Sequence, residues 1–171
     1  MKWLIAFCLF LSSPIWPLGK NPLPGDPFII VNKRTNELAY IDEGAIQWIT
    51  KVATGKEKEM TPEGLFTVIV KAKNPYYRKK NIPGGHPDNP LGTRWIGFDA
   101  HGTDGRIYGI HGTKDPTSIG KYVSQGCIRL LNEHVEYLYD KIPLGTKILI
   151  VNSDKTISEL GIQYGALPSI P

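Results

Sequence analysis

At 171 residues the chain is long enough for one domain with a real core and too short for two of ordinary size. Its 41% hydrophobic and 21% charged residues are ordinary for a globular protein, but 18 Gly and 14 Pro exceed what a long-helix protein carries, so short, numerous strands are expected. The net charge of +4 suits weak attraction to polyanions without selecting one; the basic run Arg78-Lys79-Lys80 beside Tyr76 and Tyr77 reads as a solvated loop, so nucleic-acid binding is not expected.

The amino terminus places Lys2 before an apolar stretch from Trp3 to Leu11 and then Ser12, Ser13 and Pro14, the layout of a secretory signal peptide. The apolar run is shorter than the roughly 18 residues of a spanning helix, with an uncleaved anchor reaching Leu18 as the alternative. Residues 1–26 are therefore assigned to a signal or anchor and a Pro-rich connector. The protein is expected outside the cytoplasm, in the cell wall or periplasm, touching membrane only through an uncleaved N-terminus. Cys8 leaves with the signal, so the mature chain holds one thiol, Cys127. An exported single cysteine cannot form an internal disulfide; it is either chemically employed or a buried, inert small hydrophobe.

Phe28 to Lys33 reads as a strand and Glu37 to Asp42 as its hairpin partner across Thr35 and Asn36. Ala45 to Ala53 follows, with Ile46, Trp48 and Thr50 on one face by the period of two. After Thr54-Gly55 and Thr61-Pro62-Glu63-Gly64 comes an alternating strand, Leu65 to Lys71. Residues 73 to 93 concentrate chain breakers (Asn74-Pro75, Pro83-Gly84-Gly85, Asn89-Pro90) and read as a long irregular loop, a lid or substrate wall. Trp95 to Phe98 and Ile107 to Ile110 are short buried strands flanking the turn Gly102-Thr-Asp-Gly105. The one helix starts with Asn132 as N-cap, turns Val135, Leu138 and Tyr139 to one face, and stops before Pro143. Lys147 to Val151 closes the sheet, and residues 152–171 are an irregular tail.

His111-Gly112-Thr113 ends one strand, and Ser124-Gln125-Gly126-Cys127-Ile128-Arg129 follows in the loop before the helix. Cys127 and His111 are sixteen positions apart and able to face one cleft. The pairing suits nucleophilic catalysis because the thiolate is the attacking species and an imidazole can take the thiol proton near neutral pH. Gly126 lets a substrate carbonyl approach the backbone, and amides around the cysteine are candidates for an oxyanion hole.

These strings resemble the active-site signature of the L,D-transpeptidase, or YkuD-type, catalytic domain. Thr54-Gly55 with Thr61-Pro62-x-Gly64-x-Phe66 resembles a second segment of that family, and Gly102-Thr-Asp-Gly105 before Tyr108-Gly-Ile-His111-Gly112 fits its strand entering the site; the likeness covers roughly residues 27–151. It implies a mainly β fold, a β-sandwich or mixed sheet with one short helix after the cysteine loop. The implied reaction joins peptidoglycan stem peptides, donor and acceptor, at their third-position residues, with Cys127 as nucleophile and His111 as the proton acceptor and donor. The resemblance also implies that a backbone carbonyl, supplied by Gly112, orients the histidine in place of a carboxylate. Many members have histidine where this chain has Gln125 and asparagine where it has Arg129. Arg129 either binds a stem-peptide carboxylate in bidentate fashion or braces the loop against an internal acid; Ser124 either bonds within the cysteine loop or serves the turn alone.

No cofactor or metal is expected: His86, His101 and His111 lack the spacing of a zinc site. His101 reads as a loop residue near the site and His134 as exposed at the helix start. Tyr108, an odd number of positions from His111, reads as core packing, as do Trp48 and Trp95. The alternatives are an L,D-carboxypeptidase, in which water resolves the same acyl-enzyme, and a non-catalytic wall-binding module. An activated thiol alkylating well below pH 8 separates the enzyme readings from the module. A monomer is expected.

Overall fold

Two strongly apolar runs, FIIVN and KILIV, have the pattern of strands covered on both faces, and they lie side by side. In the computed structural model, which describes residues 24–169, the strands in chain order are β1 (Phe28–Asn32), β2 (Glu37–Asp42), β3 (Ala45–Lys51), β4 (Thr54–Gly55), β5 (Gly64–Lys73), β6 (Arg94–Phe98), β7 (Tyr108–His111), β8 (Tyr122–Ser124), β9 (Ile128–Arg129) and β10 (Lys147–Val151). The helices are α1 (Asn132–Lys141) and α2 (Ile157–Gln163). The N-terminal segment read as signal or anchor, Cys8 included, lies outside the described residues.

One mixed sheet carries the order β3-β2-β1-β10-β5-β6-β7-β9, and β4 and β8 form a small parallel pair. The strand read as closing the sheet, β10, is interior instead. It runs parallel to β1 and antiparallel to β5, which explains why Ile148, Leu149 and Ile150 are all buried. The ten-residue β5 is shared between two halves: its residues 64–67 pair with β10 and residues 68–73 with β6. A register shift at Ile69, between Val68 and Val70, bends the sheet there.

Alternation then divides the core. Ile29 and Val31 of β1 point into the main cluster with Ile96, Phe98, Ile110, Ile128, Leu130 and the α1 residues Val135 and Leu138. Phe28 and Ile30 point the other way, into a second cluster completed by Ile157 and Leu160 of α2 and by Ala166. The segment read as an irregular tail is thus structural. It begins with a capping box in which Thr156 Oγ1 accepts from Glu159 N–H at 3.2 Å and Glu159 Oε2 accepts from Thr156 N–H at 2.7 Å.

Two other readings change at α1. Leu131, not Asn132, occupies the N-cap and makes no side-chain cap bond; the Asn132 side chain reaches away to the amides of Thr93 and Thr113. His134 is not on the exposed side: it is half-buried, edge-on to Trp48 at 5.0 Å and hydrogen-bonded to Thr50 Oγ1 at 3.0 Å. Trp48 itself packs on the main core, as does Tyr108.

Candidate active site

The pairing of β7 with β9 decides which side chains meet. These strands run parallel, Ile110 opposite Ile128 and His111 opposite Arg129, and both isoleucines face the core. Side chains alternate across a strand, so His111 and Arg129 face away from the core, and Cys127, two residues before Arg129, joins them. Continuing the register by one puts Cys127 beside Gly109. The thiol accepts from the Gly109 backbone N–H and donates to Ile107 O at 3.5 Å.

Trp95, directly across from His111 on β6, occupies the same face. Its ring stacks on the imidazole with centroids 5.6 Å apart and planes within 16°. It lies flat because glycines make room: a Cβ on Gly109 would sit 2.6 Å from the indole, and one on Gly97 would sit 2.7 Å from Nε1. The indole N–H donates to Gly105 O at 2.8 Å. Trp95 is a buried packing residue, 8% exposed, but what it packs is His111; the sequence signal was a glycine two residues along from each, Gly97 after Trp95 and Gly109 before His111, which face each other across the two strands. His101 adopts φ 54 in an exposed turn, edge-on to Tyr108 at 5.6 Å.

The Cys127 loop is held from beneath. Ser124 Oγ donates to Cys127 O at 2.6 Å and accepts from Gly126 N–H at 3.1 Å. Gly126 thus has its amide taken up within the loop by Ser124. Its φ of +124 and a hypothetical Cβ only 2.5 Å from Met60 O show the chemical reason for glycine. The Thr54-Gly55 and Thr61-Pro62 segment delivers that Met60 carbonyl. Thr61 Oγ1 accepts from Gly55 N–H at 2.8 Å, and Lys56 N–H donates to Ser124 O at 2.9 Å. Lys33, which the sequence did not single out, pins the same loop: its buried ammonium donates to Lys58 O and Thr61 O and pairs with Glu63 Oε1 at 2.9 Å.

Residues 73–93 fold over the outer face. Asn89, buried, ties this loop to itself by donating to Pro75 O and Pro83 O and accepting from Leu91 N–H. A 3-10 turn at Arg78–Lys80 brings Lys79 Nζ to 3.5 Å from Gln125 Oε1, and the Leu91 backbone lies beside the His111 ring. His111 is consequently only 4% exposed, whereas Cys127 is half-buried.

The electrostatics follow from that cover. Burial pushes the His111 pKa down to about 4, against the opposing pull of the Gly112 carbonyl, and the Arg129 guanidinium adds to the depression. Burial pushes the Cys127 thiol up, opposed by the Gly109 amide, Lys79 and Arg129. Both shifts favour a thiol and a neutral imidazole over an ion pair in the free protein at neutral pH. His111 Nδ1 donates to Gly112 O at 2.6 Å, leaving Nε2 with the lone pair. Among the described residues no carboxylate lies within ion-pair distance of Arg129, though its charge helps, from further away, to hold the Asp115 carboxyl low.

The curled mixed sheet with few helices is the fold of L,D-transpeptidase catalytic domains. The chain belongs to that family, one of acyltransferases: the YkuD, L,D-transpeptidase catalytic domain profile matches residues 26–150. It is 59% identical over 167 residues to YqjB of Bacillus subtilis (strain 168), named as an L,D-transpeptidase, covering 98% of this chain and 95% of that one. Among solved structures it resembles a cysteine-to-serine mutant of the Enterococcus faecium L,D-transpeptidase (TM-score 0.56, 21% identity, 74% of this chain and 50% of that one). It also resembles L,D-transpeptidase 3 of Mycobacterium tuberculosis in complex with a faropenem-derived adduct (TM-score 0.59, 18% identity, 74% and 60%). The chain thus spans between half and three-fifths of those two solved chains.

Proposed function

We propose that the protein is an exported peptidoglycan L,D-transpeptidase that cross-links third-position stem residues through a thioester on Cys127. The observation that carries this reading is the shared outer face of Cys127, His111 and Arg129, with His111 Nδ1 already donating to Gly112 O.

In the forward step Cys127 Sγ attacks the carbonyl carbon of the residue preceding the terminal D-amino acid, and the thiol proton passes to His111 Nε2. Because thiol and imidazole are both neutral at rest, transfer accompanies attack, and the proton then goes to the departing amine as the C–N bond breaks. The acceptor amine next attacks the thioester, an amide forms, and the thiol is restored. Arg129 supplies a cation for a stem carboxylate. The loop at residues 73–93 is a wall that limits water at the acyl-enzyme.

The test is incubation with a purified disaccharide tetrapeptide and mass analysis of the products. A dimer lighter than two monomers by one D-alanine and no longer formed by Cys127→Ala supports the proposal. Tripeptide alone would identify the carboxypeptidase, and unchanged substrate would point to a binding module.

A further inference from the structure

Three pieces of chain meet at the side chain of Asn132. Its Oδ1 accepts from Thr113 N–H at 3.1 Å and from Thr93 N–H at 3.3 Å. A Cβ on either Gly92 or Gly112 would fall 2.1 Å from that oxygen, so both glycines leave room for the amide. The Thr113 N–H belongs to the same planar unit as the Gly112 carbonyl, and in a trans peptide these two groups point in opposite directions. One end of this plane is therefore held by Asn132, while the other accepts from His111 Nδ1 at 2.6 Å. Rotation of the plane about its flanking bonds weakens both hydrogen bonds together.

We propose that Asn132 is a positioning residue for His111, fixing the imidazole tautomer through the Gly112–Thr113 peptide plane. The proposal rests on the reading of His111 as the proton acceptor. In acyl-transfer sites that orient histidine with a carboxylate, the orienting group carries a charge. Here it is a neutral carbonyl, and a carbonyl in a glycine-containing turn holds its direction only if the peptide is clamped. Asn132 is the clamp. It acts from the first residue of α1, and its second bond, to Thr93, fastens the end of the loop at residues 73–93 to the same point. Without it the plane tilts, Nδ1 loses its acceptor, and the neutral ring divides between two tautomers, only one of which offers Nε2 as base.

The experiment measures histidine tautomers by long-range 15N–13C NMR in the full chain, with His111 assigned among the four histidines by its loss in His111→Gln. Wild type, Asn132→Leu (similar volume, no acceptor), Asn132→Ala and Asn132→Asp (acceptor retained) are compared, together with the single-turnover acylation rate and half-saturating concentration for a carbapenem. Wild type and Asn132→Asp are expected to show one neutral tautomer, protonated at Nδ1. Asn132→Leu should show a mixture and acylate about 10- to 100-fold more slowly at unchanged half-saturation, taking as the scale the losses seen when a group orienting a metal-bound histidine is removed. Asn132→Ala, smaller and open to solvent, gives the same reading should the leucine variant not fold. A single wild-type tautomer in a folded Leu or Ala variant would overturn the proposal, even if the rate falls. Failure of wild type to acylate would count against the enzyme reading alone, because the tautomer data stand apart from turnover.

Discussion

Protonating His111 should destabilise the fold, by an amount the structure sets. The ring is 4% exposed, and its pKa falls from the ordinary 6.5 to about 4 because burial disfavours the imidazolium. The unfolded chain binds this proton first, so stability is full above pH 6.5, falls as pH drops through the window down to 4, and loses nothing further from this group below it. At about 1.4 kcal/mol for each pH unit the loss is about 3 kcal/mol, a large part of the 5–15 kcal/mol typical of a domain. The comparison is His111→Gln, whose side-chain amide still donates toward Gly112 O but does not titrate. Urea unfolding at pH 7.5 and pH 4 gives the drop in each protein. The carboxyls held low by their hydrogen bonds, at Glu37, Asp104, Asp115 and Glu159, also lose stability in acid, but equally in both proteins, so they cancel in the difference. Wild type should lose about 3 kcal/mol more than the variant. Equal losses would refute the claim that His111 is buried in its neutral form.

Trp95→Ala removes the ring stacked on His111 and strands the Gly105 carbonyl, and should cost about 3 kcal/mol by thermal or urea unfolding while also slowing acylation of Cys127. Gly126→Ala pushes a Cβ against Met60 O and into a strained φ; thioester formation should be lost in a protein whose far-ultraviolet spectrum is native, and a wild-type rate would contradict the role given to this glycine. Thr156→Ala breaks the capping box of α2 and should lower stability by about 1 kcal/mol, with no change in acylation rate, since α2 packs on the cluster opposite the site.

The strands around the site were legible because their alternation is strong. Trp95 to Phe98 and Ile107 to Ile110 fall within a residue or two of β6 and β7, and the candidate pair, Cys127 and His111, sat in recognisable strings. The position of β10 was not legible: a fully apolar strand looks the same at the edge of a reading and in the middle of a sheet, and only pairing with β1 and β5 distinguishes them. α2 was legible in principle, through Thr156-x-x-Glu159, but Gly161 and Gly165 dilute the helical pattern; Gly161 is there because a Cβ would strike Leu167 at 2.6 Å. Asn132 illustrates a different limit. As an asparagine ahead of a helix it has the look of a cap, and nothing local reveals that residues 93 and 113 bring two amides within its reach. Long-range competition for one carbonyl oxygen is invisible to sequence spacing. The same holds for Gly126, whose amide is claimed by Ser124 and whose missing side chain serves Met60.

The most direct test of the central claim is intact-mass analysis of the purified domain after exposure to a carbapenem, a strained acyl donor for the thiol, with Cys127→Ala and His111→Gln treated alongside. A single covalent adduct on wild type, absent from the cysteine variant and formed more slowly by the histidine variant, is the predicted result. An unmodified wild-type chain whose Cys127 reacts only after denaturation would mean an inert thiol and contradict the account.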